Sequence, residues 1–252
     1  MVDPVLKKKS LSKFGRTTNA DSGVATTVAS FQGTVANETF VTTNLIDEVV
    51  CDQADTQTLV IEGHTIDGSG NLTFVVQEAT LTGTAPVALS TPLARCTRMY
   101  VKAGTFASPA SDLTGNVYAY DNTDGQAGGT PTTAAATKCM IVAGQNQSEK
   151  CATSISSTDY WFITGLQASC EKGNSATVTV DLEIEVRTIG GVWRPTGQEI
   201  SLRTGAQSSV FIQFLPYIVV PKNSDVRLVA TSNTNDTAVA GRISGFLAKV
   251  VA

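Results

Sequence analysis

The sequence has little of the material from which catalytic and metal sites are built. It contains one histidine, His64, in 252 residues, so no pair of histidines is available to hold a metal ion. The cysteines are odd in number, widely spaced and free of C-x-x-C pairs, which argues against both a zinc site and a disulfide framework. They are Cys51, Cys96, Cys139, Cys151 and Cys170. We expect reduced, mostly buried thiols and neither a metal nor a cofactor.

Charge and long apolar runs are also scarce. Charged residues make up 16% of the chain, against about 25% in an average soluble domain. No run approaches the roughly 18 apolar residues that a membrane span needs, and no apolar stretch follows the basic N-terminus as it would in a secretory signal. We expect neither a membrane nor nucleic acid as a partner, and the reduced cysteines indicate a protein made and kept in a cytosol-like environment.

Helical periodicity is almost absent, and strand-like alternation takes its place. In ATVTVDLEIEVR, residues 176–187, every second residue is apolar from Val178 to Val186, and the residues between them are polar or charged. This pattern predicts a strand with one apolar face and one acidic, wet face. Shorter runs of the same kind recur about every 8–12 residues with turn signals between them. The sequence therefore predicts an all-β fold, an antiparallel β-sandwich or jelly-roll-like structure.

The chain divides by composition into three segments. Residues 1–21 are expected to form an extended basic N-terminal arm. Its residues 1–16 are expected to be mobile in the isolated protein, because they include few bulky apolar residues. Residues 124–138 are low in bulky side chains and mark a long loop or a boundary. A division near residue 145 would give β-sandwich domains at 22–145 and 146–252. One large sandwich over residues 22–252 is the alternative.

The only histidine lies in EGHTIDGSGNLTF, which we interpret as a hairpin. The expected strand runs from Thr58 to Ile66, the turn from Asp67 to Gly70, and a returning strand begins at Asn71. Asp-Gly and Gly tolerate the positive φ that such turns require. A catalytic histidine needs an orienting acid and a nucleophile or metal, and only Glu62 and Asp67 lie near His64. The chain is not expected to be an enzyme.

Two places have the character of an interface. The arm combines basic residues with Phe14, and the stretch EVRTIGGVWRPTG combines an aromatic ring with arginine, a pairing common among interface anchors. The candidate interface residues are Lys7, Lys8, Lys9, Lys13, Phe14, Arg16, Trp193 and Arg194. The stretch FIQFLPYIVVPKNSD, residues 211–225, is apolar and interrupted by Pro216. Proline belongs on an edge strand or at a bend, and we interpret the stretch as a buried strand that turns a corner.

Several long stretches resemble virion structural proteins of tailed bacteriophages, especially short-tailed phages of marine bacteria. These stretches are LSKFGRTTNADSGVATTVASFQG, TLVIEGHTIDGSGNLTFVVQEATLTGTAPVALSTPLARCTRMYV, GQNQSEKCATSISSTDYWFITGLQAS, VWRPTGQEISL and VVPKNSDVRLVATSNTNDTAVAGRISGFLAKV. The resemblance covers most of the chain and is structural, so no catalytic or binding residues carry over from it.

The resemblance implies a non-enzymatic protein of the virion, synthesised in the cytoplasm of the host bacterium. A capsid decoration or minor capsid protein is the first expectation. A neck or tail component, such as an adaptor, ring or fibre-anchoring protein, is the alternative, and a carbohydrate-binding β-sandwich module is a third. The expected partners are the major capsid protein or neck and tail proteins. We also expect a homo-oligomer, with a trimer favoured, because apolar segments such as residues 211–220 exceed what one small sandwich needs.

Overall fold

The chain folds into antiparallel strands, as the alternation predicts. The computed structural model describes residues 8–31, 40–105, 110–172, 177–205 and 208–249. The strands are β1 Lys8–Ala20, β2 Thr26–Thr27, β3 Ile46–Cys51, β4 Thr58–Ile66, β5 Leu72–Thr80, β6 Val87–Leu93, β7 Arg95–Val101, β8 Val117–Asp121, β9 Gln126–Ala127, β10 Thr130–Pro131, β11 Thr137–Ile141, β12 Ala152–Ile155, β13 Tyr160–Glu171, β14 Thr179–Thr188, β15 Arg194–Arg203, β16 Ser209–Val220, β17 Ser224–Ser232 and β18 Thr237–Ala248. Two short 3-10 turns occupy Asn122–Asp124 and Ala134–Ala136. The all-β fold is confirmed, and among these residues no helix has the length and apolar character of a membrane span.

The first of two compact units is a β-sandwich. It contains the described residues of Met1–Ala29, Gly70–Leu72 and Cys151–Ala252. One sheet has the strand order β1-β18-β13-β16; the other has the order β12-β17-β14-β15, with β2 added on β17. Buried side chains from both sheets form one core, in which Trp161 is the largest. Two sheets that share a core in this way form a sandwich.

The second unit contains the described residues of Ser30–Ser69 and Thr73–Lys150. Its sheets have the orders β11-β8-β3-β6 and β5-β4-β7, and its own apolar core includes side chains of β3, β4, β7 and β8. Residues 124–138, expected to be a long loop or a boundary, lie inside this unit. They include the small β9–β10 hairpin, and Gly129 packs directly against the backbone of Cys51. A glycine is required there because its φ is +83° and a Cβ would collide with that backbone.

Strand β14 confirms the clearest sequence pattern on its apolar face. Val178, just before the strand, and Val180, Leu182 and Ile184 within it are fully buried. The prediction that the opposite face is wet is wrong at Glu185. The carboxylate of Glu185 lies 2.7 Å from the Nε of Arg227 on β17, and both side chains are largely covered. The neighbouring strand supplied a counter-charge that the pattern within β14 could not reveal.

Strand β1 corrects the prediction of a mobile arm. Residues 8–20 pair with β18 from Lys8 opposite Ala248 to Ala20 opposite Thr237. The backbone groups of β18 on this side are thereby satisfied, so β1 is part of the sandwich. Lys13 faces inward and is only 7% exposed, with its aliphatic stem buried. Residues 1–7 of the expected arm, including Lys7, lie outside the described residues.

Candidate docking face

The stretch around His64 forms the predicted hairpin. Strand β4 ends at Ile66 as expected, and the carboxylate of Asp67 accepts a hydrogen bond from the backbone N–H of Ser69 at 2.8 Å, which closes the turn. The imidazole of His64 is buried and meets the ring of Phe74 edge-on, with 5.3 Å between centroids. Packing against an aromatic ring accounts for the position of this histidine.

The cysteines lie deep in the two cores. All five are buried and free. Burial raises the pKa of the Cys51 thiol to about 11 and that of the Cys151 thiol to about 12. Such thiols are protonated at neutral pH and are therefore poor nucleophiles and poor metal ligands. Across the described residues, no three histidine, cysteine or acidic side chains gather into a group that could hold a metal ion.

Trp193 lies over two paired charges on the second sheet of the sandwich. Arg227 is paired with Glu185, and the Nε of Arg187 lies 3.1 Å from the carboxylate of Asp225. Within each pair the two residues are directly opposite in the β14–β17 register. The guanidinium carbons of Arg227 and Arg187 lie 4.3 and 4.6 Å from the centroid of the indole ring. Trp193 thus uses its ring to shield these charges within the unit.

The predicted basic residues of β1 divide between its two sides. Pairing with β18 is continuous from Lys8 to Thr17, so alternate residues point to opposite faces. Lys8, Phe14 and Arg16 lie on the outer side of the sheet, where the ammonium of Lys8 is 4.7 Å from the ring centroid of Phe246. Lys9 and Lys13 lie on the inner side, so Lys13 in particular is not available to a partner.

A row of aromatic rings crosses the outer side of the same sheet. Phe162 on β13 and Phe246 on β18 are directly opposite in register and stack with 5.1 Å between centroids. Tyr217 on β16 meets Phe246 edge-on at 5.8 Å. Together with Lys8 over Phe246, this row links the two edge strands of the sheet, β1 and β16.

Strand β16 is exposed, which corrects the prediction of a buried strand turning a corner. It is an end strand of its sheet, and apolar side chains on it are open to solvent: Phe211 is 67% exposed, Leu215 81%, Tyr217 45% and Val219 53%. Gln213 pairs with Gly165 of β13, and Ile218 pairs with Ile163. Residues 214–217 therefore lie opposite the single residue 164 and form a bulge. The expectation that Pro216 belongs at an edge or a bend is met.

We call this surface the docking face. It is defined by Lys8, Phe14 and Arg16 on β1, Phe162 on β13, Phe211, Leu215, Tyr217 and Val219 on β16, and Phe246 on β18. The structure brings three of the predicted interface residues onto it. Arg194 is the first residue of β15, in the other sheet, and Trp193 directly precedes it. In the sequence, the residues of β16 stand out as a surplus of apolar residues. No charged residue occurs among its twelve positions, and this is the sequence signal that indicates an interface.

Comparisons with known proteins return distant likeness only. No protein family and no curated protein matches the chain. The structure of infectious bursal disease virus strain Gx is 11% identical, with 98% of this chain and 72% of that chain covered and a TM-score of 0.24. T=1 particles derived from the same virus are 10% identical, with 98% of this chain and 71% of that chain covered and a TM-score of 0.24. The VP2 subviral particle of the virus is 9% identical, with 98% and 73% covered and a TM-score of 0.23. TM-scores this low carry no argument about function.

Proposed function

We propose that the protein is a non-enzymatic structural component of a virus particle, and specifically a decoration or minor capsid protein of a tailed bacteriophage. It is made in the host cytoplasm and resides on the virion. The docking face carries this proposal, because it is an exposed apolar surface on an edge strand, the kind of patch that marks a protein interaction site. The sequence resemblance to phage virion proteins supports a place in a phage particle.

The composition of the docking face indicates the surface that it fits. Lys8 and Arg16 on β1 and Arg242 on β18 occupy outward positions, whereas Glu171 is the acidic residue at an outward position of β13. This excess of positive charge stands on a chain of net charge −4. An acidic partner surface with apolar pockets, such as a capsid shell, is complementary to it.

Apolar contacts dominate the expected binding energy. An exposed ion pair contributes about 0.2–1 kcal/mol, whereas fully burying a large apolar side chain contributes about 1.5–3 kcal/mol. Leu215 and Phe211 are the most exposed apolar side chains of the face. They are therefore the residues whose replacement should weaken docking most.

The test uses purified particles that lack the protein and measures the occupancy restored by added protein. Leu215→Asp and Phe211→Asp should each reduce occupancy strongly at equal protein concentration. Val76→Asp is the matched control, since Val76 is 55% exposed on a strand of the second unit. Full occupancy by both docking-face variants would overturn the proposal.

A neck or tail component, such as an adaptor or ring, is the closest alternative. The docking face fits this role equally well, because both roles require attachment to another virion protein. The number of copies per particle distinguishes the two roles, because a closed ring at the neck or tail contains few subunits. Quantitative mass spectrometry of virions should find hundreds of copies for a decoration protein, against roughly six to eighteen for a neck or tail ring.

A carbohydrate-binding module is a further candidate, favoured by the exposed rings of Phe211 and Tyr217. Flat aromatic side chains can stack on sugar rings in the manner of other ring contacts. The aliphatic Leu215 and Val219 beside them favour protein docking instead. Glycan-array binding that is lost in Tyr217→Ala but retained in Leu215→Asp would favour the carbohydrate role.

A further inference from the structure

We propose that a crevice in the first unit binds an extended segment of a partner protein, one that carries a carboxylate beside an apolar side chain. The crevice has a volume of about 530 Å³, within the range of ligand sites. It is lined by Val186, Val192, Arg194, Thr196, Ile218 and Val219, among others. It adjoins the docking face at Val219 but has its own chemistry, and its test does not depend on the particle.

Arg194 supplies the charge that recognises a carboxylate. Its side chain is exposed, and among the described residues it makes no ion pair. Arg187 and Arg227 nearby are held by Asp225 and Glu185. Arg194 is opposite Val186 in the β14–β15 register, on the other face of the sheet from these two pairs, so their carboxylates do not neutralise it. A guanidinium binds a carboxylate through two parallel hydrogen bonds, which gives both energy and orientation.

Thr196 provides a second, independent indication of a ligand. Its hydroxyl oxygen is buried and has no hydrogen-bond partner among the described residues. A buried polar group without a partner costs about 1–3 kcal/mol. Thr196 lies in a bulge of β15. Glu199 pairs with Glu183 and Pro195 pairs with Glu185, so three residues of β15 lie opposite one residue of β14. Bulges commonly re-aim a side chain at a functional site. Solvent does not reach this hydroxyl, so a local opening of the bulge as the segment binds would be needed to give it a partner.

The strands beside the crevice explain why an extended segment fits better than a small molecule. β15 and β16 are the end strands of the two sheets, and both contribute lining residues. An end strand presents unpaired backbone groups to which an extended peptide can add. The apolar side chains of Val192, Ile218 and Val219 would then receive an apolar side chain next to the carboxylate.

The experiment selects binders to the purified protein from a library of short random peptides. Selected peptides should share an aspartate or glutamate next to a valine, isoleucine or leucine. Arg194→Ala should weaken their binding by about tenfold or more, the usual effect of losing a hydrogen-bonded charge. Arg203→Ala is the matched control, because Arg203 is exposed at the far end of β15, and it should retain full affinity.

Thr196→Val separates a binding role from a structural one. Removing an unpaired buried hydroxyl should leave the melting temperature of the free protein unchanged or higher, while peptide affinity falls. Failure to select acidic peptides, or equal binding by Arg194→Ala, would overturn the proposal. If the protein self-associates and Arg194→Ala abolishes this association, the crevice binds a second copy of the chain, and the proposal is overturned as well. Neither result bears on particle attachment by the docking face.

Discussion

The thiol of Cys151 donates a hydrogen bond to the backbone carbonyl of Lys13, with 3.4 Å between sulfur and oxygen. Cys151 is fully buried and directly precedes β12, and Lys13 lies in the middle of β1. Strand β1 therefore covers this cysteine. The chemical reactivity of Cys151 should report whether β1 is in place.

Deleting residues 2–16 should uncover Cys151 and destabilise the first unit. The deletion removes most of the pairing between β1 and β18, so we expect a lower melting temperature, by several degrees or more. Native-state thiol labelling followed by peptide mass spectrometry should show Cys151 modified, with Cys139 in the second unit still protected. A truncated protein with wild-type melting and an unmodified Cys151 would contradict this cover by β1.

All five cysteines should be free thiols in the mature protein. Each is buried separately, and burial raises the pKa values of Cys51, Cys151 and Cys170, which disfavours the thiolate needed for oxidation. Thiol titration under denaturing conditions should give five groups per chain, whereas the folded protein should react slowly. Two or fewer groups after denaturation without reductant would refute this prediction.

Asp55 should make the second unit sensitive to acid. Burial acts to raise the pKa of this carboxyl, but hydrogen bonds from the backbone of Gly115, the hydroxyl and backbone of Thr114 and the thiol of Cys51 outweigh burial and lower it. A lowered pKa in the folded state contributes stability that is present above the unfolded pKa, about 3.9. That stability is lost as the pH falls through the folded pKa.

Asp55→Asn should accordingly reduce the free energy of unfolding at neutral pH by on the order of 2 kcal/mol. The difference from wild type should shrink as the pH falls below about 4, where wild-type Asp55 itself becomes protonated. Urea unfolding at several pH values measures it, with exposed Asp124→Asn as the control. A difference that is constant with pH would show that the charge of Asp55 is not responsible.

Trp193→Ala should destabilise the first unit by about 1–3 kcal/mol, because it removes two cation–π contacts and uncovers the paired charges of Arg187 and Arg227. Trp193→Phe keeps an aromatic face and should retain much of the stability. Chemical denaturation of the three proteins provides the comparison. Equal stability of the alanine variant and wild type would mean that the indole shields nothing of consequence.

In the absence of particles, the isolated protein should self-associate through the docking face, which the particle would otherwise cover, with a trimer as the expected species, since closed symmetry is the rule for homo-oligomers. Leu215→Asp places a charge at the most exposed apolar position and should shift the protein to monomer in sedimentation experiments at micromolar concentration. Val76→Asp should leave the oligomer intact. A wild-type protein that is monomeric both free and on the particle would exclude self-association.

The sequence by itself determined the features that depend on neighbouring residues in the chain. The alternation from Val178 to Ile184 specified one buried face of β14, because successive side chains of a strand point to opposite sides. The hairpin around His64 followed from the Asp-Gly turn and the apolar runs on either side of it. Pro216 indicated that its strand lies at an edge or bends, but not which of the two.

Only the tertiary structure decided what each strand has beside it. Lys13 looked like part of a free basic arm, but pairing with β18 buries it, and Glu185 looked wet until Arg227 was placed opposite. Phe211 and Leu215 looked like core residues, yet no strand covers their side of β16 among the described residues. Period-2 alternation specifies which residues share a face, whereas burial and charge pairing depend on strands that are distant in the sequence.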